Sequence, residues 1–357
     1  MIEGLERLPE DQPGRAALRG LVEEMLGGPS ARGRLVSAER VRGSRRVHRL
    51  RFEIEGMERA LVVKPFGPER SIREQRLVER WLPAVGLEEH GPPLVATAAA
   101  RTGRCVWHAY ADLGDCTLEG REFDAPAVRA AVELMASVHT RFADHPLLGE
   151  CRVTGSDLGG AYLSACVRDA TRSLEALRPP RLALLAEEEA VRHLLLERLI
   201  ALRAEMPLRV EALTDWGGPE TLVHGDPRST NLLVSRLPVR PHARLVDWDH
   251  AGVGPFAFDL SVLLLRFPPV ERTWVLERYR EAVAAHGWEL PDGDILNLLF
   301  DSAESARLAS CVIWPATALL QGRKRWAFDE LTEIANWFDS LAPVLPEPEE
   351  AMVSLPS

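Results

Sequence analysis

Lysine is nearly missing from this chain. Lys64 and Lys324 are the only two in a total of 43 basic side chains, so almost every positive charge is an arginine. A retained lysine then raises the question of what a compact ammonium does there that a planar guanidinium does not. An excess of positive charge is missing too. The formal net charge is -10, and a general nucleic-acid or anionic-membrane binder needs a basic face to displace counterions. Neither nucleic acid nor membrane is the expected partner.

Cysteine is scarce. Cys105, Cys116, Cys151, Cys166 and Cys311 form no Cys-x-x-Cys pair and are odd in number, which argues against a disulfide framework or a zinc site and for reduced thiols in a core. No apolar run approaches the roughly 20 residues of a membrane span. The N-terminal MIEGLERLPEDQPG carries acidic residues where a signal peptide has a basic and then an apolar region. The expectation is a cytoplasmic protein. With 46% hydrophobic residues over 357 positions, disorder is not the default, and the length suits one large or two ordinary domains.

What is present divides into a β-rich and an α-rich part. From Leu5 to Leu26 the pattern predicts helix, and RLVSAERVRGSRRVHRLRFEIEGMERALVVKPF reads as alternating strands joined by turns at Gly43 and Gly56. ERSIREQRLVERWLPAVG has near-helical apolar spacing with Pro83 and Gly86 as its stop. PPLVATAAARTGRCVWHAYADLG returns to strands and closes the sheet. Beyond Asp115, Val128, Val132, Met135, Val138 and Phe142 share one helical stripe behind Asp124 as N-cap. AEEEAVRHLLLERLIALRAEM predicts an amphipathic helix whose acidic start suits the helix dipole. The predicted division is an N-terminal helical extension over 1–33, a β-rich N-lobe with one helix over 34–113, a helical C-lobe over 114–343 and a disordered tail over 344–357. A hinge near Asp112 would join two lobes across a cleft.

Within the helical part, LVHGDPRSTNLLV and LVDWDHAGVGPFAFDLS interrupt the helices with strand and loop pieces. Their spacing suggests that Asp226, Asn231, Asp247 and Asp249 converge. Like charges at ~4 Å with an effective dielectric near 20 cost roughly 4 kcal/mol per pair, so a cation is expected among them. Oxygen-only ligands suit Mg²⁺, which completes its shell with phosphate oxygens and water. A nucleotide supplies such oxygens. The spacing His-x-Asp-x-x-x-x-Asn, followed by an aspartate, is that of a kinase catalytic loop and its second metal-binding residue.

These two stretches resemble the aminoglycoside phosphotransferase and choline kinase family, whose members carry HGDxxxxN and then an Asp-Trp-Glu/Asp segment ending in Asp-Leu. The resemblance runs from about Leu35 to Gly287. It implies an α+β, two-lobed protein-kinase-like fold with a small β-rich N-lobe and a larger helical C-lobe. It also implies transfer of the γ-phosphate of ATP or GTP, with Mg²⁺, to the hydroxyl of a small molecule such as an aminoglycoside-like antibiotic, a sugar or an amino alcohol. An antibiotic-resistance role is among its implications. By this resemblance Asp226 is the catalytic base, Asn231 and Asp247 bind the metal, and Lys64 in ALVVKPF grips the phosphates with Glu74 as its ion-pair partner. Ala111 and Leu113 lie in the hinge that holds adenine through backbone groups, and Asp259 braces the catalytic loop.

The nucleotide-covering loop departs from the family: VRGSRRVHRLRF offers only Gly43 and Ser44, so arginines are expected to compensate. Gly225 stands where protein kinases place the arginine that reads a phosphorylated activation loop, and no Ala-Pro-Glu segment follows Asp247, which argues against a protein kinase. Arg228 is expected to neutralise charge at the transferred phosphoryl group. His224 is read as holding the loop, and Asp249 either binds a second metal or braces the loop. Glu79 competes with Glu74 for the role beside Lys64. Asp301, Glu304 and Arg307 fall at helical steps, where the two acids would bind a cationic acceptor or form a self-paired face. Two other functions stand beside the kinase: a catalytically inactive nucleotide-binding module, and a two-metal hydrolase built on His224, Asp226, Asp247, Asp249 and His250. The sequence does not fix the oligomeric state.

Overall fold

The computed structural model describes residues 2–8, 14–26, 32–41, 44, 46–235, 241–322 and 326–345. Gly43, Lys324 and the tail from 346 lie outside the described residues. The chain divides into two compact units, Met1–Thr117 with Leu233–Asp249, and Leu118–Leu232 with His250–Ser357.

The first unit is built on a six-stranded sheet of order β1-β2-β3-β4-β6-β5, formed by β1 (Ile2–Glu3), β2 (Gly33–Arg40), β3 (His48–Ile54), β4 (Met57–Phe66), β5 (Leu94–Ala99) and β6 (Val106–Ala111). All neighbours are antiparallel except β1 and β2. Alternation makes one face apolar: Leu50, Phe52, Val63, Trp107 and Ala109 are fully buried and join one core. The β3–β4 hairpin turns at Glu55 and Gly56, φ 53° and 79°, the left-handed pair that matches strand twist in a two-residue turn.

Helix α1 (Arg15–Met25) lays Leu18, Leu21 and Val22 onto the same core, beside Ile2, Leu5 and Leu8. The segment 1–33 is thus part of the β-rich unit, not an extension attached to it, because its apolar side chains close the open sheet face. Only part of the predicted Leu5–Leu26 helix forms; Leu5–Arg7 is a separate 3₁₀ turn. On the other sheet face lies α2 (Pro68–Arg76), which runs through a π-helical turn at Leu77–Trp81 into α3 (Leu82–Ala84).

The second unit contains α4 (Ala125–Phe142), α5 (Leu148–Thr154), α6 (Gly160–Glu175), α7 (Ala186–Trp216), α8 (Ala257–Leu264), α9 (Pro269–Ala284), α10 (Gly293–Gly322) and α11 (Trp326–Asp339). Asp124 Oδ1 accepts from Ala127 N at 3.2 Å, the expected cap. All the predicted stripe residues of α4 are buried. The short strands β7 (Thr221–Val223) and β10 (Gly252–Gly254) pair antiparallel, and the polar loop leaves directly from β7. Among the described residues no helix is long and apolar enough to cross a membrane.

Leu233–Asp249 had been expected to belong wholly to the helical lobe, but it joins the β-rich unit. Strand β8 (Leu232–Val234) pairs with β9 (Ala243–Leu245), and Val234 N donates to Cys116 O at 2.7 Å. His90 Nδ1 lies 2.8 Å from Ala243 O, and Arg244 donates to Gly91 O at 3.2 Å. These contacts carry Asp247 and Asp249 into the unit that holds Lys64.

Candidate functional site

In the β-rich unit, strand alternation puts Lys64 on the face opposite the core, directly across from His108 on β6. Lys64 Nζ lies 2.5 Å from Asp247 Oδ1 and 2.9 Å from Asp249 Oδ1, and 4.5 Å from the centroid of the Phe66 ring. Its side chain is only 12% exposed. Burial pulls the ammonium down, but Asp247 and Asp249 outweigh it and hold its pKa above the ordinary lysine value. Lys64 therefore stays charged. Asp247 has φ 68°, a left-handed conformation that aspartate tolerates better than most residues.

Asp249 is the more enclosed of the two acids. Besides Lys64, Arg70 Nη1 lies 3.4 Å from its Oδ2, and Arg73 Nη1 donates to its carbonyl at 2.8 Å. These bonds tie Asp249 to β4 and α2 within the β-rich unit. Arg70 and Arg73, both on α2, were not singled out from sequence.

Glu74 corrects an expectation. The ion pairs of Lys64 go to Asp247 and Asp249, whereas buried Glu74 accepts from Tyr110 Oη at 3.1 Å. Tyr110 Oη is also 3.3 Å from His108 Nδ1, and His108 Nε2 is 2.7 Å from Ser71 Oγ. This buried chain, Ser71–His108–Tyr110–Glu74, is what Glu74 serves. Burial raises the Glu74 carboxyl to about 7, against the opposing pull of Lys64. Burial and then Lys64 push His108 down to about 4, so its ring is neutral near pH 7.

The sign of the resulting pH dependence follows. A carboxyl raised in the folded state binds a proton there that the unfolded chain has already lost, so its stabilising effect is complete below the ordinary glutamate range. It is lost as pH rises through about 7. At 1.36 kcal/mol per pKa unit the effect is on the order of 3 kcal/mol. Glu74→Gln should therefore melt higher than the parent at pH 8 and nearly equal to it at pH 4. A difference that does not vary with pH would overturn this.

The remaining nucleotide-side expectations fare unevenly. Ser44 Oγ accepts from Arg46 N and Val47 N at 3.2 and 3.1 Å and so closes its own turn. Gly43 lies outside the described residues. Ala111 spends its N–H on Pro93 O at 2.9 Å, which removes it as a donor to a base because an amide carries one hydrogen. Leu113 is exposed. Next to it Asp112 is held by Arg49 at 3.0 Å, and Arg49 also donates to Asp115 at 2.7 Å.

The helical unit holds the other half of the motif. Asp259, on α8, is fully buried; its Oδ2 accepts from His224 N and its Oδ1 from Gly225 N, both at 2.7 Å. His139 Nε2 lies 3.2 Å from Oδ2 of Asp259, and His139 Nδ1 lies 2.8 Å from Tyr279 Oη. Burial pushes Asp259 up, but His139 and His224 overcome it and set its pKa below the ordinary aspartate value. His139 was not singled out from sequence, although a histidine beside a core stripe signals a buried partner.

Gly225 has φ 82°, and a Cβ there would sit 2.2 Å from His250 O, so only glycine fits. The His224 ring is buried, and its Nδ1 accepts from Asp226 N at 3.3 Å. Asn231 Nδ2 donates to Asp226 O at 2.9 Å. Because a carbonyl can only accept, this bond fixes the amide orientation and directs Oδ1 away as the remaining acceptor. Arg228 lies on Asp226: Nε and Nη2 donate to Oδ2 at 3.0 and 2.5 Å.

Asp301 and Glu304 are not displayed as a pair of open acids. Asp301 pairs with Arg209 at 2.6 Å, and Glu304 is buried, accepting from Ser261 Oγ at 2.7 Å. An acid already neutralised inside its own unit has little to offer a cationic acceptor. Among the described residues no group of three or more His, Cys, Asp or Glu is arranged to hold a metal ion. The Nδ1 of His224 is taken up by the loop.

A family model described as the phosphotransferase enzyme family matches residues 37–293. No curated protein matches the chain. Among solved structures, a spectinomycin phosphotransferase in complex with ADP and spectinomycin is 12% identical, with 87% of this chain and 93% of that one covered and a TM-score of 0.53. Plasmodium vivax ethanolamine kinase is 13% identical over 85% of this chain and 81% of that one, with a TM-score of 0.54. The GDP and kanamycin complex of APH(2″)-IIia is 16% identical over 86% and 94%, also at 0.54. At these identities the likeness is one of fold, the α+β protein-kinase-like fold with a β-rich N-lobe and a helical C-lobe.

Proposed function

The chain belongs to the phosphotransferase enzyme family, and we propose that it transfers the γ-phosphate of ATP or GTP, with Mg²⁺, to a hydroxyl of a small molecule. The observation that carries this reading is the loop around Asp226. Its backbone N–H is held by His224, its carbonyl by Asn231, and the residue before it by Asp259. Such fixing serves a side chain that must meet an acceptor hydroxyl in one orientation.

Asp226 would align the hydroxyl and take its proton through Oδ1, since Arg228 occupies Oδ2. Asn231 Oδ1 and the Asp247 carboxylate are hard oxygen donors and fit Mg²⁺; they would be its protein ligands. When bound, the ion would neutralise phosphate charge and orient the oxygens of the triphosphate. Lys64, kept charged by the two aspartates, would exchange its hold on Asp247 for phosphate oxygens. A lysine suits that exchange because a point charge on a flexible stem can shift between partners.

Arg228 is half exposed and free to leave Oδ2 as negative charge develops on the transferred group. Arg228→Ala should lower turnover more than nucleotide affinity, and unchanged turnover would count against that role. The acceptor is the open variable. Spectinomycin, kanamycin and ethanolamine are the first candidates, the antibiotics leading because their amines suit a chain of net charge -10. A panel of hydroxylated small molecules scored for ADP or GDP release tests the proposal. Nucleotide binding by thermal shift without turnover on any acceptor would reject it in favour of an inactive module. Raised antibiotic tolerance on expression would extend it to resistance.

A further inference from the structure

Asp226 can act only if the peptide before it is held, because rotation of the Gly225–Asp226 plane swings the carboxylate away. The N–H of that plane donates to His224 Nδ1 at 3.3 Å. Its carbonyl, Gly225 O, accepts from Arg307 Nη1 at 2.6 Å. Arg307 reaches in from α10, far along the chain. Its Nη2 donates to Phe258 O at 2.9 Å, the residue before Asp259, and its guanidinium lies 5.9 Å from the centroid of the Phe258 ring. One planar fork thus joins the loop to the helix whose Asp259 already holds the Gly225 N–H.

Glu304, one turn back on α10, sets the fork. Its Oε1 is 3.6 Å from Arg307 Nε and accepts from Ser261 Oγ at 2.7 Å, also on α8. Arg307 Nε has no hydrogen-bond partner, so the position of the guanidinium rests on its two carbonyl bonds and on the charge of Glu304. Gly225, the only residue type that fits at φ 82°, is also the freest to flip its peptide. The brace sits where freedom is greatest.

We infer that Arg307, set by Glu304, is a positioning residue that locks the Gly225–Asp226 peptide and so aims the Asp226 carboxylate. This rests on the phosphotransferase reading for its kinetic consequence but not for its structural one. Lysine at 307 could reach one carbonyl but not both, since it lacks the planar fork.

The test uses the full-length protein with two separate readouts, steady-state kinetics and hydrogen exchange of the Leu222–Leu233 segment followed by mass spectrometry. Arg307→Met should lower kcat roughly 10- to 100-fold, the weight of one hydrogen bond to a charged group, with KM for nucleotide unchanged and faster exchange in the segment. Arg307→Lys should recover part of both. Unchanged kcat or unchanged exchange in Arg307→Met would overturn the inference, as would a raised acceptor KM at constant kcat, which would make Arg307 an acceptor contact. If Arg307→Met does not fold, Arg307→Lys and Glu304→Gln decide: each must lower kcat and speed exchange, and parental values in both overturn the brace. If the parent transfers no phosphate, the proposed function fails and the exchange comparison alone decides the brace.

Discussion

Asp226→Asn should lower phosphoryl transfer by roughly 10²- to 10⁴-fold, the usual weight of a positioned base, while nucleotide binding and melting temperature stay near those of the parent. The contacts that hold the loop run through the backbone of residue 226: its N–H to His224, its carbonyl to Asn231. An asparagine keeps both. Its amide oxygen can still accept from Arg228, so the guanidinium that now sits on Oδ2 is not left without a partner. What is lost is the capacity to take a proton, and the loss should appear in kcat. Transfer at the parental rate in this variant would reject Asp226 as the base.

How far the sequence led can be judged from particular residues. The loop around Asp226 was legible because its parts are contiguous: histidine, glycine, aspartate and asparagine at fixed spacing, with Asp259 soon after. The strands were legible because one sheet face is apolar, and alternation followed through Leu50, Phe52, Leu61 and Val63. The allegiance of Leu233–Asp249 was not legible. Short strands such as β9 carry no signal for which unit they join, and the deciding contacts come from His90 and the chain beside it.

Glu74 shows a different limit. Its helical position was foreseen, but its ionisation depends on burial and on Tyr110, which no local pattern encodes. His108 and Ser71 belong to the same chain and were missed for the same reason: a lone polar residue in a strand or helix reads as ordinary until its partner across the fold is known. Asp301 and Glu304 could be read from helical spacing as an open acidic pair or as a self-paired face, and the second holds, with partners from outside the helix as well: Arg209, Ser261 and Arg307 claim them. Helical spacing places side chains on a face; it does not say whether that face is already satisfied.

Asp247→Ala should lower transfer to the edge of detection and raise the Mg²⁺ concentration that the remaining activity needs. A metal ion at a triphosphate contributes several kcal/mol of charge stabilisation, so the expected loss is roughly 10³-fold or more at 1.36 kcal/mol per decade. The protein should still fold, since Lys64 keeps its 2.9 Å pair with Asp249, which Arg70 and Arg73 also hold. Alanine at φ 68° brings about 1–2 kcal/mol of backbone strain, and Asp247→Asn separates that strain from the charge, because asparagine tolerates the left-handed conformation. Both variants should need far more Mg²⁺ for any residual turnover, and Asn231→Ala should shift the Mg²⁺ requirement in the same direction. If Asp247→Asn and Asn231→Ala both titrate with Mg²⁺ as the parent does, these two side chains do not hold the ion, and the metal must be sought among other oxygens.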